Sequence, residues 1–373
     1  MANISYLSDF KSLNPNHKVI QEDARQWMRF AYGRSLDQQG LLDQKKLEEW
    51  VAKYTVAESQ IAERYTELKD FTHTSLDNNL IFSNTEGAEL GRGLTDRMKF
   101  YDQMVNLRAE ELFKDETEAP HHLIHISCTG YISPSPLQRL CSKKEWHNTE
   151  ITHAYHMGCY ASMPSIRLAN ALSTDGDIQL FNSELCTLHF STKDFTPEQL
   201  IVQSLFADGY IGYKCTSKLP TSSPSLKIIG IAESRVPESE EDMTWVPGNT
   251  NFNMSISRDV PLKLAMNIHA GLETLFKKSG LDMDEMMKDA VFAIHPGGPK
   301  ILEQVSMLLE LKEDQIKESK EVLRTRGNMS SATLPHIWKE ILESGDYKSG
   351  QKVVSLAFGP GLSLFGSVFE ICN

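Results

Sequence analysis

Two kinds of hydrophobic spacing take turns along the chain, one with the period of a helix and one with the period of a strand. The stretch 43–71 places Leu47, Trp50, Val51 and Tyr54 on one helical face, then Ile61, Tyr65 and Leu68 on another, which predicts a mostly helical first hundred residues. A second helix is predicted over 94–116, then a strand at 121–127 and a turn at "CTGYISPSP", 128–136. Residues 151–157 alternate like a short strand, and Met163, Ile166, Ala169 and Leu172 then recur every third residue as a helix. Another strand (177–184) and helix (197–209) follow. The Ser-, Thr- and Pro-rich segment 216–225 is the best internal boundary, dividing the chain into 1–220 and 221–373. Beyond it come strand-like alternation from 226, a helix at about 260–279, a strand at 289–294 and a helical stripe of Ile301, Val305, Leu308 and Leu309. Residues 352–371 close the chain as two strands around a glycine turn.

Each half thus delivers a chemically capable residue, Cys159 or His295, where a strand hands over to an amphipathic helix. That shared grammar predicts two related α/β halves packed face to face, although no fixed-period repeat is visible. Composition narrows the picture. The chain has 373 residues, 40% of them hydrophobic and 24% charged, as in an ordinary globular protein. No run of about 18 apolar residues predicts a membrane span, and the first dozen residues lack a secretory pattern. A net charge of −12 argues against a nucleic-acid partner but leaves room for a local basic cluster that binds phosphates. The six cysteines make no CxxC pair or zinc-finger spacing, which predicts reduced thiols, a cytoplasmic protein and no metal site.

Three segments carry candidate chemistry: "MGCYA" (157–161), "AIHPGGPK" (293–300) and "RGNMSSA" (326–332). Cys159, expected at a helix N-terminus, would be favoured there as a thiolate by the helix dipole and free N–H groups. A thiolate attacks thioester carbonyls, a histidine can hold it as an ion pair, and an asparagine N–H can stabilise an oxyanion or enolate. Taken singly, each has a plainer reading: a buried core cysteine, a histidine at a strand end, a helix cap at "GNMSSA" and a turn at "AFGPG". Together they suit acyl transfer. The glycines after His295 would let a pantetheine arm pass close to the backbone.

With these motifs in place, the chain resembles the type III polyketide synthases of the chalcone/stilbene synthase family, which are similar to the thiolase-like ketosynthases. The resemblance rests on "GCYA", "HPGGPKILEQV", "RGNMSSATL" and "FGPGL", with weaker matches at "IAERY", "NSELCTLHF", "LFADG" and "SRDVP". It implies the five-layered αβαβα thiolase-like fold, a homodimer, CoA thioesters as substrates and no permanently bound cofactor. It implies Cys159 as the acylated nucleophile, with His295 and Asn328 activating it and promoting decarboxylation of malonyl-CoA. It also places Phe206 and Met254 at gatekeeping positions, Cys186, His189 and Ser330 in the substrate cavity, and Gly359 and Pro360 in the loop shaping its wall. Lys300, Lys53 and Arg64 are the candidate CoA-binding cations, the last two expected on early helices. Several positions depart from the family pattern. "YASM" follows the nucleophile, "CTGYISPSP" is short, Met254 replaces an aromatic residue, and His189 adds an ionisable group where threonine is usual.

The implied activity is decarboxylative Claisen condensation of an acyl-CoA starter with malonyl-CoA. The alternative is a ketosynthase III-like or α-pyrone-forming, chain-joining enzyme fed by an acyl carrier protein. "HPGGP" favours the first, because ketosynthase III proteins usually carry "HQAN" there. A catalytically silent scaffold is a third reading, disfavoured by the complete Cys/His/Asn set. Met254 suggests a flexible apolar mouth suited to a fatty or otherwise long acyl starter.

Overall fold

The computed structural model describes residues 4–75, 79–82 and 91–373. Among these are thirteen strands: β1 (Tyr6–Leu13), β2 (His17–Ile20), β3 (Glu63–Thr66), β4 (His122–Ser127), β5 (Glu150–Tyr155), β6 (Ile178–Leu185), β7 (Asp208–Thr216), β8 (Ser225–Arg235), β9 (Met243–Pro247), β10 (Phe252–Ile256), β11 (Val291–Ile294), β12 (Lys352–Gly359) and β13 (Ser363–Cys372). Nine of them run in the order β11-β12-β13-β8-β1-β7-β6-β4-β5. The sheet is joined in the middle by a short antiparallel contact in which Tyr6 faces Lys227 and Leu7 faces Leu226. Reading outward from that join, β1-β7-β6-β4 and β8-β13-β12-β11 show the same succession, two antiparallel pairings and then a parallel one. The two halves therefore share a topology that no sequence repeat announces.

Side-chain alternation builds the layers. Because successive residues of a strand point to opposite faces, each half-sheet has an inner and an outer side. Ile124 and Ile126 of β4, Val353 and Ala357 of β12, and Phe365 and Phe369 of β13 point into a central core. There they meet the helices Ser162–Leu172 and Thr333–Glu343 through Met163, Ile166, Leu334, Ile337 and Trp338. Val354, Leu356 and Phe358 point the other way, onto the helices Val260–Ser279 and Pro299–Leu308. Leu123, Phe181 and Tyr210 face the helices Gln21–Gln38, Gln44–Tyr54 and Leu94–Leu112. The succession is helix, sheet, helix, sheet, helix, the expected five layers. Each fully buried Ile or Leu within them contributes about 1.5–3 kcal/mol of transfer free energy.

Two stretches differ from the sequence expectation. The predicted 43–71 helix ends at Tyr54, where Thr55 turns its hydroxyl back onto Val51 O at 2.6 Å. Beyond it Glu63–Thr66 is strand β3, paired with β2, because Arg64 and Thr66 point inward and find buried partners. A polar residue facing inward is invisible to a hydrophobicity pattern. The second departure is the β9–β10 hairpin, which was not expected at all. The 216–225 segment is the connection from β7 to β8. Among the described residues no helix is long and apolar enough to cross a membrane, and no cluster of His, Cys, Asp and Glu could hold a metal ion.

Candidate active site

Cys159 sits in the turn after β5, two residues ahead of Ala161, the N-cap of the central helix Ser162–Leu172. The turn is tight because Gly158 adopts φ +83°, and a Cβ there would lie 2.5 Å from Pro360 Cδ. Only glycine allows this backbone to meet the 359–360 loop so closely. The Cys128 thiol grips the same peptide, accepting from Gly158 N at 3.0 Å and donating to Gly158 O at 3.1 Å.

Asn328 arrives from the other half. Gly327, at φ +70°, ends the helix Lys317–Arg326, and Asn328 then pairs by backbone with the end of the helix Pro197–Leu205. Asn328 N donates to Leu205 O at 2.9 Å and Ala207 N donates to Asn328 O at 2.8 Å. One bridge therefore positions both Asn328 and Phe206. His295 follows the last residue of β11, held through its N–H to Leu356 O at 2.8 Å. The loop after it packs against Leu205, since a Cβ on Gly298 would lie 3.7 Å from that side chain.

Cys159 opens onto a cavity whose lining is mainly apolar and aromatic. Of the residues singled out from the sequence, Phe206, Met254, Cys186, His189, Ser330 and Pro360 line it together with Cys159, while Gly359 lies just behind Pro360. The hairpin supplies much of the far wall through Trp245, Phe252 and Met254, with Met254 directly opposite Trp245 in register.

The electrostatics depart from a standing ion pair. Burial pushes the Cys159 thiol up to about 12; Ser330 and Asn328, facing it, oppose that rise, and the Glu184 carboxyl adds to it. Burial pushes the His295 imidazole down to about 3. Neither ring nitrogen of His295 has a hydrogen-bond partner, and neither does Asn328 Nδ2, whose Oδ1 accepts from Ser330 N at 2.8 Å. Burial therefore favours a neutral thiol and a neutral imidazole. The expected thiolate is corrected on this point, since two buried charges cost more than their attraction returns unless further bonds complete them.

Other expectations are corrected too. His189 is not an ionisable lining group. Its Nε2–H donates to Thr129 O at 2.7 Å, its Nδ1 accepts from Phe252 N at 3.1 Å, and its ring stacks on Phe252 at 4.1 Å. Burial holds it neutral, pushed down to about 3, so it acts as a wedge fixing the hairpin. Arg64 is on β3, not on a helix, and is buried. Its Nη1 donates to Gln203 O and Phe206 O and its Nε to the Gln21 side chain, so the guanidinium is engaged inside the protein, not presented on the surface for a CoA phosphate. Lys53 and Lys300 are exposed, Lys53 with its ammonium 5.1 Å from the Tyr54 ring and Lys300 in the first turn of the helix Pro299–Leu308.

Sequence reasoning missed Cys128, Trp245 and Glu184. The Glu184 carboxylate is fully buried behind the cavity, accepting from Cys128 N (2.9 Å), Thr129 Oγ1 (2.9 Å) and Ser331 Oγ. Burial lifts it to about 7 against those bonds. A glutamate inside the otherwise alternating run 177–185 was the one visible sign.

Comparison with known proteins converges on one group. Residues 228–371 match the family described as chalcone and stilbene synthases, C-terminal domain. The chain is 29% identical over 253 residues to "Probable polyketide synthase 1" of Dictyostelium discoideum, a match spanning 66% of this chain but only 8% of that much longer protein. It is 27% identical over 247 residues to "Putative chalcone synthase" of Bacillus subtilis (strain 168), covering 64% of this chain and 67% of that one. The crystal structure of the C-terminal type III polyketide synthase domain of "Steely1", a type I/III hybrid from Dictyostelium, superposes with a TM-score of 0.84 at 24% identity, covering 99% of each chain. The fold is thus common with the type III polyketide synthase structures from end to end, and residues 228–371, the half that carries His295 and Asn328, match the C-terminal domain of the chalcone and stilbene synthases.

Proposed function

We propose that this chain is an acyltransferase that loads an acyl group from acyl-CoA onto Cys159 and extends it with malonyl-CoA. In loading, the Cys159 sulfur attacks the thioester carbonyl and CoA leaves as the thiol, taking up the proton. In extension, the malonyl C–COO⁻ bond breaks, CO₂ departs and the enolate carbon attacks the Cys159 thioester, which frees the cysteine again. The observation that carries this reading is Cys159 on the wall of a mainly apolar cavity with Ser330 and Asn328 facing it, while both ring nitrogens of His295 are buried with no partner in the protein. Buried donors are normally satisfied, so an unpaired imidazole suits a ligand oxygen. A neutral His295 suits both duties, accepting the thiol proton as the thioester arrives and donating to the enolate oxygen later.

Residues 1–220 would then carry the nucleophile, and 221–373 would carry His295 and Asn328. Phe206, Met254 and Trp245 make an apolar wall that suits an acyl starter. Lys300 and Lys53, both exposed, are the cations proposed for CoA phosphates. The reading includes a homodimer in a reducing, cytoplasmic setting, in keeping with six free cysteines. The carrier-protein alternative is not favoured, since the family match includes the "HPGGP" segment.

The test separates the three roles. Cys159→Ala should abolish condensation yet leave measurable release of acetyl-CoA and CO₂ from malonyl-CoA. Asn328→Ala should lose most decarboxylation, on the order of 100-fold if it behaves as a deleted oxyanion donor, while Cys159 is still acylated. His295→Ala should impair both steps. Radiolabelled acyl loading measured beside decarboxylation decides it; condensed product from Cys159→Ala would overturn the assignment.

A further inference from the structure

Glu184 does not stand alone behind the cavity; it is the inner end of a continuous line of hydrogen-bonding side chains. Thr129 Oγ1 donates to Glu184 at 2.9 Å, and Ser127 Oγ lies 3.5 Å from Thr129 Oγ1. Tyr101 OH donates to Ser127 Oγ at 2.9 Å and lies 3.2 Å from Ser183 Oγ. Ser183 Oγ is 2.8 Å from His125 Nε2, and His125 Nδ1 is 2.7 Å from Tyr155 OH. Every member is buried except Tyr155, which is half-buried on β5, the outermost strand of the sheet. We propose that Thr129, Ser127, Tyr101, Ser183, His125 and Tyr155 form a proton relay that sets the charge of Glu184 from the sheet edge.

Each link passes one proton on and takes one up. Thr129 gives its hydroxyl proton to the carboxylate and is refilled by Ser127, which turns away from Ser183 O, its acceptor at 2.8 Å. Ser127 is refilled by Tyr101, and Tyr101 by Ser183. Ser183 draws on Nε2–H of His125, whose Nδ1 takes the proton of Tyr155, and Tyr155 takes one from outside. Only O–H and N–H bonds change, with no redox step and no net charge left on the line. An imidazole suits the middle because its two nitrogens exchange tautomers, and stacking on Phe181 keeps it in place. Burial pushes its pKa down to about 3, with the neighbouring His153 adding to that, so it relays without resting as a cation.

The relay has a use in the chemistry proposed above, and that use rests on that reading. A charged Glu184 repels a thiolate at Cys159, with the Cys128 and Cys186 thiols and the Tyr101 hydroxyl also within its field. Protonating Glu184 as negative charge forms in the cavity removes that repulsion without admitting water.

The test uses two variants and a readout that needs no substrate. His125→Gln can still bond to both neighbours but has no second tautomer, and Tyr155→Phe removes the outer end. In a pH jump across neutrality, the infrared carboxyl band of Glu184, identified by its loss in Glu184→Gln, should respond roughly tenfold or more slowly in both variants. Cys159 acyl loading in a single turnover should slow by a comparable factor, while thermal midpoints stay close to the parental value. A band that responds at the parental rate in either folded variant overturns the relay. If the variants slow the band but the parental protein never acylates Cys159, the relay stands and the acyltransferase reading falls.

Discussion

At the scale of single residues, burial decides more than identity. Cys159 and His295 have the right chemistry for an ion pair, yet burial favours the uncharged form of both, because neither has enough partners to replace lost water. The consequence is measurable. With the thiol pushed up to about 12, the thiolate fraction grows tenfold per pH unit through the neutral and alkaline range. Alkylation of Cys159 by iodoacetamide in the free protein, followed by mass spectrometry, should therefore keep rising from about pH 6 to about pH 10. A plateau reached by pH 7 would restore the standing ion pair. Arg64 makes the same point from the other side. Arg64→Ala strands the carbonyls of Gln203 and Phe206 inside the protein, at a cost of about 2–4 kcal/mol. Denaturant melts should show it as lost stability. Lys300→Glu should leave stability alone, raise the KM for acyl-CoA and weaken its salt dependence.

Turns and strand ends, more than helices or strands themselves, decide the site at the scale of elements. The turn bearing Cys159 meets the 359–360 loop at Gly158, and the bridge between Asn328 and Phe206 ties a helix end of one half to a loop of the other. Gly158→Ala would place a Cβ 2.5 Å from Pro360 Cδ on a backbone at φ +83°, so the loop must move or the turn must open. We expect acyl loading to fall roughly tenfold or more, in line with the cost of misplacing reacting atoms, with a smaller loss in thermal stability. Loading at the parental rate would show that the contact is slack.

For the whole molecule, five layers place two halves of like topology on one central core. The edge strand β5 and the exposed Tyr131 of the loop 128–135 lie at one end of the nine-stranded sheet. An edge strand presents unpaired N–H and C=O groups that a second copy could cover. Sedimentation at micromolar concentration should find a dimer; a monomer would remove the homodimer from the proposed reading.

Much of this was legible in the sequence. The helices at 94–112 and 260–279, the closing strands and the strand-to-turn settings of Cys159 and His295 followed from periodicity and from Gly and Pro, because local spacing and local backbone freedom are written in adjacent residues. The three candidate catalytic residues stood out by motif, and most of the residues placed in the cavity by resemblance do line it. What only the tertiary structure decided is whatever depends on partners distant in sequence. The neutral state of His189, the burial of Arg64, strand β3, the β9–β10 hairpin and the line from Glu184 to Tyr155 all arise from contacts between segments many residues apart. A hydrophobicity pattern reports whether a side chain seeks burial, and it is silent on which donor or acceptor will meet a polar group once inside. That pairing sets the charge of each group in the cavity.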